Sequence, residues 1–380
     1  MPRGPLSGIK VIEMAAIGPV PFAGMILADM GAEVIRVDRT APSGLGVAAQ
    51  AQFDAMGRGK KSICIDLKSS AGVGILKRLI TEAHVLIEGF RPQVMERLGL
   101  GPGDCLALNP KLVFGRCSGW GEQGPYAAVA GHDINFIGLS GALAAMGVAG
   151  IPTPPLNLVG DFGGAGMHLA VGVLAGLISG QGQVVNASIA GSALGLMPMI
   201  YGLLAQGEWT AKRGGNLLDG GAPFYRCYEA MDGKFVAVGA LERKFYIELI
   251  TKLDLLGVLN PDYQNDRSTW PQTTDVLARK FRERIRDEWA VHFATSNACV
   301  TPVLTLEEAP NHPQQVPSFV KIAGVVQPAP QPYFSQSDTP TPPPAAGTHT
   351  REILSALQYS TREVDEMTAS RTVASFSAQN

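Results

Sequence analysis

The sequence predicts an α/β protein in which a Rossmann-like large domain is joined to a smaller α+β domain. Two observations carry the first part: the chain opens β-turn-α-β, and short apolar strands go on alternating with helices. A third carries the second part: after residue 210 that alternation gives way to paired glycines, a hairpin and short helices.

Ile9–Met14 reads as a short buried strand, Gly18-Pro19-Val20-Pro21 as a turn, and Phe22–Met30 as a helix. Val34–Val37 is the second strand and ends at Asp38-Arg39. This opening is that of a doubly wound nucleotide-binding fold. Asp38 imitates the ribose-binding acid of an NAD site, but the turn lacks G-x-G-x-x-G, which argues against NAD, and Arg39 suits a phosphate better. Residues 40–56 read as a loop, and Arg58-Gly59-Lys60-Lys61 leads into strand Ile63–Leu67. That basic run suits a solvated turn; with Arg39 and Arg91 it also suits a phosphate-rich ligand. Helix Ala71–Thr81 and strands Val85–Glu88 and Leu112–Cys117 follow. Ligands of open α/β sheets bind beyond the carboxyl ends of strands, which places Gly89-Phe90-Arg91-Pro92 well.

Ile134–Ala145 and a stretch from Asp161 to about Ser179 read as helices, Val184–Ala187 as a strand, and Ser188–Leu204 as one long apolar helix. Phe224–Glu229 and Phe235–Val238 pair about Asp232-Gly233, and a helix begins at Phe245. Residues 325–345, with Pro328, Pro330, Pro332, Pro340, Pro342, Pro343 and Pro344, form an extended tether, and helix Arg351–Leu357 closes the fold. The large domain therefore takes residues 1–205, completed by 325–380, and residues 206–324 are linker and small domain.

The 380 residues, 46% hydrophobic and 17% charged, suffice for two cores. A net charge of −2 argues against a nucleic-acid-binding surface. The five cysteines are scattered without a C-x-x-C, against a disulfide framework or zinc site. The start carries no signal-peptide h-region, and the end is no S-K-L signal. No run reaches the roughly 18 unbroken apolar residues of a membrane span. The expectation is a soluble cytoplasmic protein without a membrane span.

Between Gly131 and Gly166, His132 and Asp161 each sit among small residues and bracket a Gly/Pro-rich crossing. A histidine exchanges a proton near neutrality, and an aspartate does so when its surroundings raise its pKa. Two such groups facing one carbon would move a proton between its faces. An N-cap aspartate and a structural histidine fit the same residues, and the spacing leaves both readings open.

These pieces, in order, resemble the family III CoA-transferases, and most of all those members that racemise 2-methylacyl-CoA thioesters. The resemblance runs through Val37-Asp38-Arg39, Arg58-Gly59-Lys60-Lys61-Ser62, Ile65-Asp66-Leu67-Lys68, Glu88-Gly89-Phe90-Arg91-Pro92 and Glu96-Arg97-Leu98-Gly99-Leu100-Gly101-Pro102. It continues in Gly131-His132-Asp133-Ile134-Asn135, Pro155-Leu156-Asn157-Leu158-Val159-Gly160-Asp161-Phe162-Gly163-Gly164, Asp219-Gly220-Gly221-Ala222-Pro223 and Cys299-Val300-Thr301-Pro302-Val303-Leu304. Phe136 stands where the family usually has tyrosine, and Ala165 interrupts the glycine run.

The resemblance implies an interlocked homodimer and a 1,1-proton transfer through an enolate. His132 and Asp161 are then the acid/base pair, with Glu242 beside His132. It implies CoA contacts at Arg39, Ile65, Lys68, Gly131, Asp133 and Phe136, with Asp66, Leu67, Gly89, Ile134 and Asn135 flanking them; charge adds Lys60, Lys61 and Arg91. No metal or cofactor beyond the CoA of the substrate is expected. A transferase of the same fold would instead use Asp161 as nucleophile, and such enzymes typically lack a histidine at the position of His132. A non-catalytic CoA-binding protein is the third reading.

Overall fold

Six parallel strands make the central sheet: β1 (Lys10–Met14), β2 (Glu33–Asp38), β3 (Lys60–Ile65), β4 (Val85–Glu88), β5 (Val113–Ser118) and β6 (Gln183–Ser188). Their order is β3-β2-β1-β4-β5-β6, the doubly wound arrangement that reverses direction between β1 and β4. The structure is a computed structural model describing residues 3–41, 44, 50–147 and 150–375. The two chain ends, and residues 42, 43 and 45–49 of the expected 40–56 loop, lie outside the described residues.

The strands read as apolar runs because both faces of the sheet are covered. Register sorts their residues into two rows. Ile35, Ile12, Leu86 and Phe114 are cross-strand partners and enter one core, with helices Ser70–Thr81, Pro102–Leu108, Thr350–Ala356 and Thr361–Ala369. The adjacent row, Val34, Val11, Val85 and Val113, enters the other core, under helices Pro19–Asp29 and Met167–Ser179. A slip of one residue would exchange the rows, so packing on two sides sets the register.

Several expected elements differ in extent. Helix Ile134–Ala145 is two helices, Asp133–Leu139 and Ala142–Ala145, because Gly141 between them takes φ 84°. The long helix Ser188–Leu204 is likewise broken, into Ile189–Gly195 and Pro198–Ala205, where Pro198 lacks the amide hydrogen that would continue the first. Helix Thr361–Ala369 was not expected, although Ser360 and Glu363 form its capping box.

Leu158–Ser179 is a continuous 22-residue helix of mean hydropathy 1.6, long and apolar enough to cross a membrane by length and composition alone. Asp161 and His168 interrupt its apolar run in the sequence, which hid it from a search for unbroken hydrophobicity. Its Leu169, Ala170 and Val173 are buried against the sheet, as expected of a core helix in this fold.

The chain divides into two compact units. The first is Met1–Ser140, Leu156–Leu196 and Gln314–Asn380; the second is Gly141–Pro155 and Met197–Pro313. The expected boundaries were 205, 206–324 and 325. The hairpin β10 (Phe319–Ile322) and β11 (Val325–Pro328) belongs to the first unit, and Arg58, in the turn before β3, reaches the Gln327 side chain and the Pro328 carbonyl. The Pro-rich segment lies along the same unit, with the Thr341 carbonyl accepting from Gly59 N–H. The C-terminal β12 (Val373–Ala374) adds an antiparallel edge to β3. In the second unit β7 (Tyr225–Glu229), β8 (Phe235–Gly239) and β9 (Val300–Pro302) form an antiparallel sheet over a core of Phe224, Tyr246, Trp270, Phe281 and Trp289.

Candidate active site

The carboxyl ends of β1–β5 open into a cleft of about 870 Å³. Its walls are the segments that follow those strands: Ala15 and Ile17–Val20 after β1, Arg39–Ala41 after β2, Asp66–Lys68 after β3, Gly89–Pro92 after β4 and Gly119–Trp120 after β5. This is the position the doubly wound topology prescribes, on either side of the β1/β4 reversal.

His132 and Asp161 line the same cleft. His132 is the residue before helix Asp133–Leu139, exposed, and its backbone N–H donates to Asn135 Oδ1 at 3.0 Å. Asp161 is not an N-cap. It lies inside a π-helical segment, Leu158–Gly166, where hydrogen bonds such as Phe162 N–H to the Asn157 carbonyl span five residues. Wide turns of this kind are rare and concentrate at functional sites.

Asp161 is seated by its neighbours. Its N–H donates to Asp133 Oδ1 at 2.7 Å, and Asn157 Nδ2 donates to its Oδ2 at 3.3 Å. Gly18 passes directly over its carboxylate: with φ 74° and an imagined Cβ 3.0 Å from Asp161 Oδ2, only glycine fits there. Burial pushes the Asp161 carboxyl above its ordinary range; the Asn157 donor opposes this, Asp133 adds to it, and His132 pulls the other way.

Arg39, Lys68 and Arg91 are exposed, line the cleft, and take part in no ion pair among the described residues. Ile65, Asp66, Leu67, Gly89, Gly131, Asp133 and Phe136 line it too. Ile134 and Asn135 do not, because they continue the helix while Asp133 and Phe136 face inward. Phe136 is buried and packs edge-to-face with Trp120, the ring centroids 4.6 Å apart.

Two expected phosphate ligands are corrected. Lys60 is wholly buried, bound to Glu13 Oε2 at 2.6 Å and to the Pro21 carbonyl at 2.9 Å. Lys61 pairs with Glu33 and Glu352. Both sit within β3, at the end away from the cleft, and β-strand geometry points them at partners on neighbouring elements. Asp38 lines the cleft, but Arg36 and Ser62 already hold its carboxylate. Glu242 belongs to the second unit and precedes helix Arg243–Lys252. Sequence reading passed over Gly18 and Asn157 as site residues; Gly18-Pro19 as a turn after the first strand was the available signal. Among the described residues no group of three or more His, Cys, Asp or Glu is placed to hold a metal.

The model of CoA-transferase family III matches residues 6–350. The chain is 42% identical to an α-methylacyl-CoA racemase of Mus musculus and 39% identical to one of Homo sapiens, covering 97% of this chain and 98% of each relative. It is 26% identical to a human succinyl-CoA:glutarate CoA-transferase, over 96% of this chain and 88% of that one. Among solved structures, a CAIB/BAIF family protein from Brucella suis superposes with a TM-score of 0.78 at 25% identity, covering 93% of this chain and 99% of that chain.

Proposed function

The chain belongs to CoA-transferase family III, and from that premise we propose that it interconverts the 2R and 2S forms of 2-methylacyl-CoA thioesters, with His132 and Asp161 as the two proton-transfer groups. The observation that carries this reading is the pair itself: a histidine and an aspartate of raised proton affinity line one cleft at the carboxyl end of the sheet. The named racemases among its relatives support it.

The chemistry asks little more of the protein. One group takes the α-proton, the C–H electrons pass to the thioester oxygen, and the planar enolate forgets its configuration. The other group returns a proton to the opposite face. An aspartate whose proton affinity is raised is a stronger base than an ordinary carboxylate, and nearer to neutrality it still carries a proton to give. Following the family resemblance, His132 deprotonates the 2S isomer and Asp161 the 2R isomer. Arg39, Lys68 and Arg91 hold the phosphates of CoA, as exposed cations at strand ends suit.

The reading extends to an interlocked homodimer in which Glu242 of one chain stands beside His132 of the other. Each unit leaves apolar side chains in the open that a second copy would cover: Leu139, Val171 and Ile178 in the first, Met199, Tyr201 and Leu204 in the second. A fully active monomer in sedimentation at assay concentration would contradict it. We place the enzyme in the cytoplasm, in keeping with five free cysteines.

The test is incubation of a 2-methylacyl-CoA in D₂O, following mass and chirality together. Exchange of one α-hydrogen per racemisation event, with no acceptor acid added, is the expected result. Turnover only when a free carboxylic acid is supplied would identify a transferase instead, with Asp161 as nucleophile.

A further inference from the structure

We infer that Asp133 is the positioning residue of the proton-transfer site: its carboxylate seats Asp161 and lays a second negative charge beside it. The inference rests on the proton-transfer reading of Asp161 and assigns a task to a residue that family resemblance marks only as a ligand contact.

Asp133 is the first residue of helix Asp133–Leu139, where an aspartate ordinarily serves its own helix end. Here its oxygen is used elsewhere. Oδ1 accepts the N–H of Asp161 at 2.7 Å, from a segment 28 residues further along the chain, and the N–H of Gly160 also donates to this carboxylate. Gly160 is glycine for this reason: a Cβ there would lie 2.3 Å from Asp133 Oδ1. The carboxylate thus fixes the backbone at the residue that carries the acid/base group, within the one stretch of the helix that is wound wide.

Its charge is not neutralised locally. Asp133 is 7% exposed, its Oδ2 is buried without a hydrogen-bond partner, and no ion pair among the described residues includes it. Two carboxylates in one site raise each other's proton affinity. The other groups facing Asp161 are few. His132 stands at the same helix start and opposes the effect, Asn157 donates a hydrogen bond from the preceding turn, and the Cys117 thiol faces it from β5, pushed far up by burial. The loop after β1 presents Gly18, which has no side chain. Among the described residues Asp133 is thus a negative charge acting on Asp161, and its Oδ1 also sets the backbone there.

The experiment is a carboxyl ¹³C NMR titration of the full chain without substrate, the Asp161 signal being assigned by its loss in Asp161→Asn. Asp133→Asn keeps an acceptor oxygen for the two N–H groups and removes the charge. The Asp161 midpoint is expected to move to lower pH, and the acid limb of kcat/KM for the 2R isomer to move the same way. A purely structural role would leave both in place, so an unmoved Asp161 midpoint overturns the inference. Asp133→Ser carries the same test should Asp133→Asn misfold. In the unaltered protein the two carboxyl signals should each show the other's titration step, and independent single-step curves would also overturn it. The titration needs no turnover. Absence of deuterium exchange in the unaltered protein therefore strikes the racemase reading alone, and an unmoved midpoint with exchange intact strikes only the role of Asp133.

Discussion

The two ends of the cleft are built on opposite plans. The inner end, around Asp161, is tight: Gly18 and Gly160 admit the backbone where no side chain fits, and Asp133 and Asn157 hold the acid from two sides. A brace in the same sheet is the buried Lys60, which ties Glu13 of β1 to the Pro21 carbonyl in the first turn of helix Pro19–Asp29. The outer end is loose: Arg39, Lys68 and Arg91 reach from strand-end loops into water with no protein partner among the described residues. A proton transfer needs its groups fixed before the substrate arrives, because misplacement is lost from the rate. Holding a phosphate-rich handle needs only charge within reach, so flexible exposed cations serve.

This contrast is open to attack by substitution. The largest effects belong to the inner end. His132→Ala and Asp161→Ala should each lower racemisation by roughly 10²–10⁴-fold, mostly in kcat. Deuterium exchange should divide: His132→Ala abolishing it from the 2S isomer and leaving some from the 2R, Asp161→Ala the reverse. Equal residual exchange from both isomers in both variants would leave one group, or a water, serving both faces.

Next is the brace. Lys60→Met strands the Glu13 carboxyl in the core, where removing one partner of a buried pair costs about 3–5 kcal/mol. Urea unfolding should show a loss of that order, whereas KM for the acyl-CoA should hold. A raised KM with unchanged stability would return Lys60 to the ligand site.

The outer end answers differently. Arg39→Ala removes a charge-assisted contact of about 1.5–3 kcal/mol, so KM should rise roughly 10- to 100-fold with kcat little altered. Added salt should shrink the difference between the two proteins, since the contact is exposed. An unchanged KM at low salt would take Arg39 out of the site.

A smaller effect separates function from stability. Because burial holds the Asp161 carboxyl above its ordinary value of 3.8, ionising it costs the fold free energy. That cost is absent below pH 3.8 and grows as pH rises through the folded value. Asp161→Asn should therefore melt at a higher temperature than the unaltered protein at pH 7, with the gain fading as pH falls toward 3.8. A lower melting temperature at pH 7 would mean that the charged form is stabilised in the fold. Smallest of all is Lys61→Ala: its half-exposed pairs with Glu33 and Glu352 are worth about 0–1 kcal/mol, and neither kinetic constant should change.

The alternation of strands and helices was legible in the sequence because strands covered on both faces are apolar throughout, and Gly or Pro marks their ends. The small unit's hairpin was legible for the same reason at Asp232-Gly233. Breaks at Gly141 and Pro198 were written in the chain as well, but read against an apolar background that suggested continuity. His132, Asp161 and the cations at the ends of β2 and β4 could be picked out by residue type and by the rule that open sheets bind at their carboxyl ends.

What only the tertiary structure decided is which charges meet. Arg39 and Lys60 are alike in sequence as cations near strands of one sheet, but Arg39 follows its strand and faces the cleft whereas Lys60 lies within one and faces Glu13, 47 residues earlier. The seat of Asp161 is decided in the same way, by a carboxylate 28 residues before it. Local pattern reports how a residue's neighbours along the chain repeat; it carries no record of which strands lie side by side. The environment that raises the proton affinity of Asp161, burial first and then Asp133, exists only once the sheet has brought those segments together.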